Sequence, residues 1–234
     1  EKLKSVNIPY NGSDWESSHV TIDKFDTLQT LKEHGFKVAD QLVFEESAYR
    51  NNSDALEKNF SFPFILKPVD DGCSSAVKMI RNEVQMDAYL SGIFRGKKAL
   101  SSELREKLSL SENEEFPSKN RILGESLISK KDADHFLEIT GGLLTHYDEN
   151  GGIQYEMFEP SEALAGGEVL SLEEKFLAGE GQNITPARFS KSDENYDIIA
   201  AQVKADLERA ARILKVKGYA RIDAFVRIYG KNKA

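Results

Sequence analysis

The clearest pattern of apolar and polar positions lies between residues 219 and 229, near the end of the chain. Every second position there is aliphatic, namely Ala220, Ile222, Ala224, Val226 and Ile228. A period of two is typical of a strand that is buried on one face only. The pattern predicts such a strand, and its second face would carry Arg221 and Asp223 side by side.

Two other segments show the helical period. In residues 22–31 the apolar positions recur at a spacing of three, with Thr21 as the predicted N-cap and Gly35 as the stop. Residues 196–215 carry a longer apolar stripe. Both segments are predicted to be amphipathic helices. Residues 1–20 show little periodicity and are expected to be irregular.

Shorter runs complete the predicted elements. Strands are predicted at residues 36–44, 62–68, 76–80, 121–129, 135–140, 153–158 and 169–177. Short helices are predicted at residues 53–60 and 82–94. Residues 95–120 are polar and rich in charge, so we expect a surface insertion or a partly ordered linker there.

Composition narrows the class of protein. The 234 residues are 40% hydrophobic, enough for one large domain or two small ones. A net charge of −8 disfavours nonspecific nucleic-acid binding, and no apolar run reaches the roughly 20 residues that span a bilayer. The single cysteine, Cys73, excludes a disulfide framework and favours the cytoplasm. With no initiator methionine and no apolar leader, the chain is expected to be a fragment.

Lys67 is the first candidate for chemistry. It ends an apolar strand and precedes a loop of small residues that includes Gly72, Ser74 and Ser75. A lysine in this place can reach phosphate oxygens while the N–H groups of the loop approach the same anion. The alternative is a surface lysine whose stem covers apolar atoms, and the sequence supports the two interpretations about equally.

Other charged residues are weaker candidates. Lys24 and Lys175 stand out by context, although Lys175 and Glu173 could form a simple surface ion pair. Arg221 could hold a phosphoryl group and Asp223 could ligate magnesium, with a structural cross-strand pair as the alternative. The histidines lack metal-ligand spacing, and the chain has no Walker A or dinucleotide motif. A bound nucleotide would need another scaffold.

Six motifs in chain order resemble those of the D-alanine–D-alanine ligase branch of ATP-grasp enzymes. They read IPYNGS, IDK, ILKP with DDGCSS, GESLI, EEKF with TPA, and GYARID, and they occupy residues 8–13, 22–24, 65–75, 124–128, 173–187 and 218–223. Each motif alone is weak, but six in the same order are specific. The resemblance implies an α+β ATP-grasp fold, in which two α+β subdomains hold ATP between antiparallel sheets.

The resemblance also implies a division of the chain. Residues 1–20 would be the end of an N-terminal domain or a linker. Residues 21–128 would form the central ATP-grasp subdomain, with the polar insertion at 95–120. Residues 129–234 would form the C-terminal subdomain, truncated before the strand that carries the family's remaining metal ligands.

The implied phosphate site contains three lysines. Lys24 and Lys67 would hold the ATP phosphates together with Ser74 and Ser75 of the small-residue loop. Lys175 would contact the γ-phosphate from a mobile loop that closes over the site.

The implied nucleoside site lies around the GESLI motif. Glu125, with backbone groups of Ser126 and Ile128, would hold adenine. The acid that binds the ribose should follow, and Asp134 is the predicted residue, although Asp132 competes for the role.

The implied reaction is activation of a carboxylate by ATP, followed by attack of an amine, as in synthesis of D-Ala-D-Ala for peptidoglycan. Arg221, with Lys175 and Ser74, would be catalytic, and Asp223 would ligate Mg²⁺. Two departures affect the details. Cys73 aligns with the first serine of the family's loop pair, unless a shift by one residue places Ser74 and Ser75 there. Phe176 aligns with a tyrosine of the family, which suggests a D-lactate acceptor as a hypothesis.

The expected partner is a small molecule such as D-alanine, with neither nucleic acid nor membrane, and a homodimer of the full-length protein is compatible with the resemblance. This fragment is expected to bind nucleotide weakly without turnover. The alternatives are a ligase for another substrate and a noncatalytic nucleotide-binding domain, since fold does not fix function.

Overall fold

The structure, a computed structural model, describes residues 2–51, 55–72, 74–112, 114–164, 183–190 and 193–230. The helices are α1 (Lys2–Ser5), α2 (Trp15–Ile22), α3 (Lys24–Glu33), α4 (Glu46–Asn51), α5 (Ala55–Asn59), α6 (Glu83–Ile93), α7 (Ser102–Lys107) and α8 (Asp193–Ile213). The strands are β1 (Gln41–Glu45), β2 (Phe64–Pro68), β3 (Lys78–Ile80), β4 (Arg121–Ser126), β5 (His135–Tyr147), β6 (Ile153–Met157), β7 (Ser161–Ala163), β8 (Asn183–Ile184) and β9 (Tyr219–Ile228). The strands form two antiparallel sheets.

The first sheet has the strand order β1–β4–β2–β3. Its buried face carries Phe44, Phe64 and Ile122, which cluster with residues of α6 and are at most 2% exposed. Because successive side chains of a strand point to opposite faces, Lys67 and Glu125 lie on the other face. One face of the first sheet therefore packs in the apolar core, and its other face carries charged side chains.

The second sheet is built on the 13-residue strand β5. Along one edge β5 pairs with β9, and along the other it pairs with β6 and β7, which in turn pairs with β8. Ile139 and Val226 share the face that α8 covers through Leu207. Arg221 and Asp223 lie on the opposite face, because they occupy the alternate positions of β9.

The strand predicted from the alternation at residues 219–229 is confirmed as β9. It pairs with β5 at ten positions, from His135↔Ile228 to Leu144↔Tyr219, and the predicted truncation after β9 stays a prediction. Among the described strands, none pairs with the second edge of β9.

The expectation of an irregular stretch at residues 1–20 is wrong, because α1 and α2 lie there and Asp14 caps α2. The N-cap prediction at Thr21 is wrong as well. Helix α3 begins at Lys24, and its N-cap is Asp23, whose carboxylate accepts two backbone N–H groups at 2.9 and 3.1 Å. The apolar spacing was right, but a carboxylate two residues later satisfies the first N–H groups better than the threonine does.

The polar segment at residues 95–120 packs more closely than its composition predicts. It contains α7, and its Leu108 and Phe116 are buried in the first core. The Arg95 guanidinium donates to four backbone carbonyls, two of them at Phe116 and Pro117, at 2.7–3.0 Å. Buried apolar side chains and the hydrogen bonds of Arg95 thus pack this charge-rich segment against the first core.

The other predicted elements agree in type with the structure and differ at their ends. Strand β1 begins at Gln41 rather than at residue 36, β5 continues to Tyr147, and α4 was not predicted. The strand predicted at residues 169–177 lies outside the described residues. The predicted domain limits stay predictions. No helix in the described ranges is both long and apolar enough to cross a membrane.

The segment before β9 is tied to the beginning of the chain. The Ser13 hydroxyl accepts the N–H of Lys217 at 3.0 Å and donates to the Lys217 carbonyl at 3.3 Å. The Lys217 ammonium pairs with Asp14, and its hydrogen bond lowers the pKa of that carboxyl. The next residue, Gly218, has a φ of +79°, and a Cβ there would lie 2.6 Å from the backbone N of Gly12.

An ion pair between a buried carboxylate and an exposed arginine stabilises the far side of the second sheet. Glu162 lies on β7 with its side chain 8% exposed, and it accepts two hydrogen bonds from the Arg188 guanidinium, both at 2.7 Å, and one from the Arg188 backbone N–H at 3.3 Å. Hydrogen bonding to Arg188 lowers the pKa of Glu162 from its ordinary value of 4.5. The folded state therefore favours the ionised carboxylate.

This pair makes part of the stability depend on pH. Its contribution is complete above pH 4.5, the ordinary value for a glutamate, and is lost as the pH falls through the lower pKa of the folded state. We expect Glu162→Gln to lower the free energy of unfolding by about 1–2 kcal/mol at neutral pH. The difference from the parent chain should vanish in acid, where both side chains are neutral.

Urea unfolding over a series of pH values measures this effect. Glu159→Gln is the matched control, because its ion pair with Lys204 is exposed and should contribute less than about 0.5 kcal/mol. A deficit of Glu162→Gln that stays constant with pH would contradict the assignment.

Candidate functional site

The polar face of the first sheet holds an ion pair between two residues predicted for nucleotide binding. Lys67 Nζ lies 2.6 Å from Glu125 Oε2, and the two side chains are only 17% and 11% exposed. In the sheet register Lys67 lies opposite Leu123, two residues from Glu125, so the long lysine side chain reaches diagonally to the carboxylate. The structure thus brings these two predicted residues into contact, and their roles toward a nucleotide stay predictions.

Two glutamines that the sequence analysis missed extend this pair. Gln41 lies directly opposite Glu125 in the register and donates from Nε2 to Glu125 Oε1 at 3.2 Å. Gln29, on α3, donates to Gln41 Oε1 at 3.0 Å. A chain of hydrogen bonds therefore runs from α3 across β1 and β4 to Lys67 on β2. A glutamine carries no motif, so only the strand register reveals the contact.

Lys24 lies beside Lys67. Its backbone N–H donates to the carbonyl of Val69 at 2.8 Å, and its ammonium donates to the carbonyl of Asp71. Burial lowers the pKa of Lys24, and the nearby charge of Lys67 lowers it further, while Asp71 and other carboxylates act in the opposite direction. Two lysines that repel each other in a partly buried place favour the arrival of an anion.

The small-residue loop follows β2 and turns sharply. Ser74 has a φ of +56° and Ala76 a φ of +50°, both in the left-handed region. The N–H of Ser75 bonds to the carbonyl of Gly72 at 3.0 Å. The buried Tyr89 hydroxyl donates to the Ala76 carbonyl at 2.8 Å and so fixes the end of the loop. Cys73 lies outside the described residues.

A third lysine borders the same loop and was not predicted. Lys119 Nζ lies 3.1 Å from Asp70 and 3.5 Å from Asp71. The loop that follows Lys67 is thus held by Lys24 through a carbonyl and by Lys119 through two carboxylates. No sequence signal separates Lys119 from the other lysines of the polar segment at residues 95–120.

The residues after Glu125 are partly occupied by contacts within the protein. The N–H of Ser126 donates to the Asp40 carbonyl at 3.0 Å, so this donor is already used. Asp134 Oδ2 accepts the N–H of Gly230 at 2.5 Å. Ile128 is 37% exposed at the end of the strand. The predicted roles of these residues toward adenine and ribose stay predictions.

The polar face of the second sheet carries the other predicted group. Arg221 Nε lies 3.3 Å from Asp223 Oδ1, and both side chains are more than 40% exposed. Thr140 lies directly opposite Asp223 in the register. The Thr140 hydroxyl is buried and has no hydrogen-bond partner among the described residues. A charged pair therefore stands beside an unsatisfied hydroxyl.

Two predicted residues and one cavity do not belong to the clusters described above. Lys175 and Phe176 lie outside the described residues. A cavity of about 310 Å³ lies near the beginning of the chain and is lined by residues such as Tyr10 and Trp15. None of the predicted site residues lines that cavity.

Among known proteins, the chain is similar in sequence to D-alanine–D-alanine ligases. No protein-family model matches the chain. The D-alanine–D-alanine ligase of Leptospira interrogans is 28% identical over 227 residues, which is 96% of this chain and 55% of that protein. The ligase of the same name from Syntrophobacter fumaroxidans is 26% identical over 224 residues, 96% of this chain and 60% of that protein.

Solved structures of ligases match the fold of this chain. The VanG D-Ala:D-Ser ligase from Enterococcus faecalis matches 99% of this chain and 57% of its own, with a TM-score of 0.64 and 17% identity. The D-alanine–D-alanine ligase from Bacillus anthracis complexed with ATP matches 97% of this chain and 57% of its own, with a TM-score of 0.59 and 19% identity.

The chain is similar to D-alanine–D-alanine ligases. The resemblance of its six motifs is confirmed by sequence similarity over almost its whole length, and the α+β ATP-grasp fold is confirmed by the structural matches. The chain spans little more than half the length of these ligases. In the ligase fold the two described clusters, Lys24–Lys67–Glu125 and Arg221–Asp223, lie on the polar faces of the two sheets.

Proposed function

We propose that the chain is the ATP-binding part of an ATP-dependent carboxylate–amine ligase, with D-alanine or a similar small molecule as substrate. The observation that carries the proposal is the convergence of Lys24, Lys67 and Glu125 on the polar face of the first sheet. Two cations beside a loop of small residues suit the phosphates of ATP. A carboxylate that only accepts hydrogen bonds suits an amino group of the base.

The nucleotide would replace contacts that the free protein makes with itself. In the free protein the Lys24 ammonium donates to the Asp71 carbonyl, which is a weaker acceptor than a phosphate. The Lys67 ammonium donates to the Glu125 carboxylate, which would compete with a phosphate for it. A phosphate offers charged acceptor oxygens to both lysines, and such hydrogen bonds are stronger than those to a carbonyl. Lys175 and the serines of the loop would complete the phosphate site.

The residues around Asp223 fit Mg²⁺ that is shared with the nucleotide. Mg²⁺ keeps several waters and is usually bound through one or two carboxylates plus phosphate oxygens. Within the described ranges no group of three or more His, Cys, Asp and Glu side chains could hold a metal alone. Asp223 is exposed enough to offer an oxygen to the ion, and Thr140 lies directly opposite it in the register. The ion would neutralise phosphate charge.

The proposed reaction joins a carboxylate to an amine. A substrate carboxylate oxygen attacks the γ-phosphorus, the bond to the β–γ bridging oxygen breaks, and an acyl phosphate and ADP form. The amine then attacks the acyl carbon, and phosphate leaves as the amide forms. Arg221 would stabilise the negative charge of the acyl phosphate and of the tetrahedral species. The D-lactate alternative rests on Phe176 and stays a hypothesis.

Titration calorimetry of the 234-residue chain with ATP and MgCl₂ tests the binding step. We expect Lys24→Met to weaken ATP binding by about 10- to 50-fold, because a charge-assisted hydrogen bond to phosphate is lost. Lys32→Met, at the exposed end of the same helix, is the matched control and should bind ATP like the parent chain. Absence of ATP binding to the parent, or an unchanged affinity of Lys24→Met, would overturn the proposal.

A further inference from the structure

Both oxygens of the Glu125 carboxylate have a partner from a neighbouring strand. Oε2 accepts from Lys67 at 2.6 Å and Oε1 accepts from Gln41 at 3.2 Å. The residue is only 8% exposed, so water cannot easily replace either partner. A ligand that draws one partner away must therefore supply a donor in its place.

The two partners differ in how firmly they are held. Gln41 is fixed by Gln29, because its Oε1 accepts from Gln29 at 3.0 Å and its Nε2 is thereby directed at Glu125. Turning the Gln41 amide over would place its oxygen against the carboxylate and its NH₂ group against the NH₂ group of Gln29. Lys67 has a long, flexible stem and a charge that other anions attract. Only Oε2 of Glu125 is therefore exchangeable.

We propose that Gln41, held by Gln29, is a positioning residue that makes Glu125 select nucleotides whose base carries an amino group. The inference rests on the proposed function, in which a phosphate attracts Lys67 away from Oε2. An amino group of the base then donates to Oε2 in its place. A keto oxygen at the same position, as in ITP, is an acceptor and would face the carboxylate unpaired.

The arrangement also couples the two ends of the nucleotide. Departure of Lys67 toward the phosphates leaves a buried carboxylate oxygen without a donor, and only the base amino group compensates that loss. Gln41 keeps Oε1 occupied and the carboxylate in one orientation throughout. Without Gln41 the carboxylate can turn, and the discrimination between an amino group and a keto oxygen becomes weaker.

A purely structural role for Gln41 predicts a different result. Gln41 begins β1, so its loss could simply loosen the edge of the sheet. In that case ATP and ITP would lose affinity in the same proportion. The ratio of their affinities therefore separates a positioning role from a structural one.

Calorimetry of the 234-residue chain with ATP and with ITP, each in MgCl₂, measures this ratio. The parent chain should prefer ATP by about 10- to 100-fold, since one polar group is left unpaired with ITP. Gln41→Met should reduce the ratio by at least about fivefold. Gln29→Met should reduce it less, because it removes the hydrogen bond that orients Gln41 but leaves Gln41 able to donate to Glu125. Gln154→Met, on the exposed surface of β6, is the control for a glutamine-to-methionine change and should keep the parent ratio.

The outcomes are distinct. If the parent chain binds ATP and both variants keep its ATP-to-ITP ratio, the role of Gln41 is refuted while the proposed function stands. If the parent binds no ATP, the proposed function fails and this inference fails with it. Circular dichroism confirms that each variant folds. If Gln41→Met does not fold, Gln29→Met decides alone, and an unchanged ratio in that variant overturns the inference.

Discussion

Lys67→Met is expected to lower the free energy of unfolding by about 2–3 kcal/mol and to weaken ATP binding by at least about 100-fold. The first effect arises because the substitution leaves the buried Glu125 carboxylate without its cationic partner, which lies 2.6 Å away in the parent chain. The second effect arises because a proposed phosphate ligand is removed. Chemical unfolding measures the first effect and calorimetry with ATP and Mg²⁺ measures the second.

A second substitution separates the two effects. In Lys67→Met/Glu125→Gln no charge is left unpaired, so stability should return to within about 1 kcal/mol of the parent. ATP binding should remain lost, because the phosphate ligand is still absent. If ATP binding returned together with stability, Lys67 would have a structural role only.

Gly218→Ala is expected to destabilise the protein by about 3 kcal/mol or more. Two causes add. The backbone of Gly218 has a φ of +79°, and a Cβ would lie 2.6 Å from the backbone N of Gly12 and 2.8 Å from its Cα. Backbone atoms cannot move aside as the end of a side chain can. The substitution must therefore push the segment of Ser13 and Asp14 away from Lys217 and release the hydrogen bonds between them.

Gly151→Ala is the matched control. Gly151 has the same φ of +79°, but nothing lies within 4 Å of its Cβ position. This variant should lose only about 1 kcal/mol, the conformational part of the effect. Thermal or urea unfolding of the two variants then gives the steric part by difference. Equal losses would mean that the contact with Gly12 contributes nothing.

Local patterns in the sequence predicted the elements of the fold well where the period was long or strict. The alternation in β9 and the apolar stripe of α8 place each element within a few residues of its observed position. Helix α2 was not predicted, because its apolar face is weak and its beginning is marked mainly by its N-cap, Asp14. Helix α3 was found, but capping by Asp23 moved its beginning.

The candidate site was predictable only in part. Lys24, Lys67, Glu125, Arg221 and Asp223 came from motifs, which are local in sequence. Gln41 and Thr140 could not be found in this way, since their importance depends on which residues lie opposite them in another strand. Strand order and register arise from the packing of the whole domain, and no single segment encodes them.

The length of β5 has a consequence for synthesis of the protein. Strand β5 ends at Tyr147, whereas its longest partner, β9, begins only at Tyr219. At roughly 5–20 residues per second, a ribosome takes several seconds to add the segment between them. During that interval the apolar face of β5 has neither β9 beside it nor α8 over it. The nascent chain is then most exposed to aggregation and to recognition by chaperones, and completion of β9 ends that exposure.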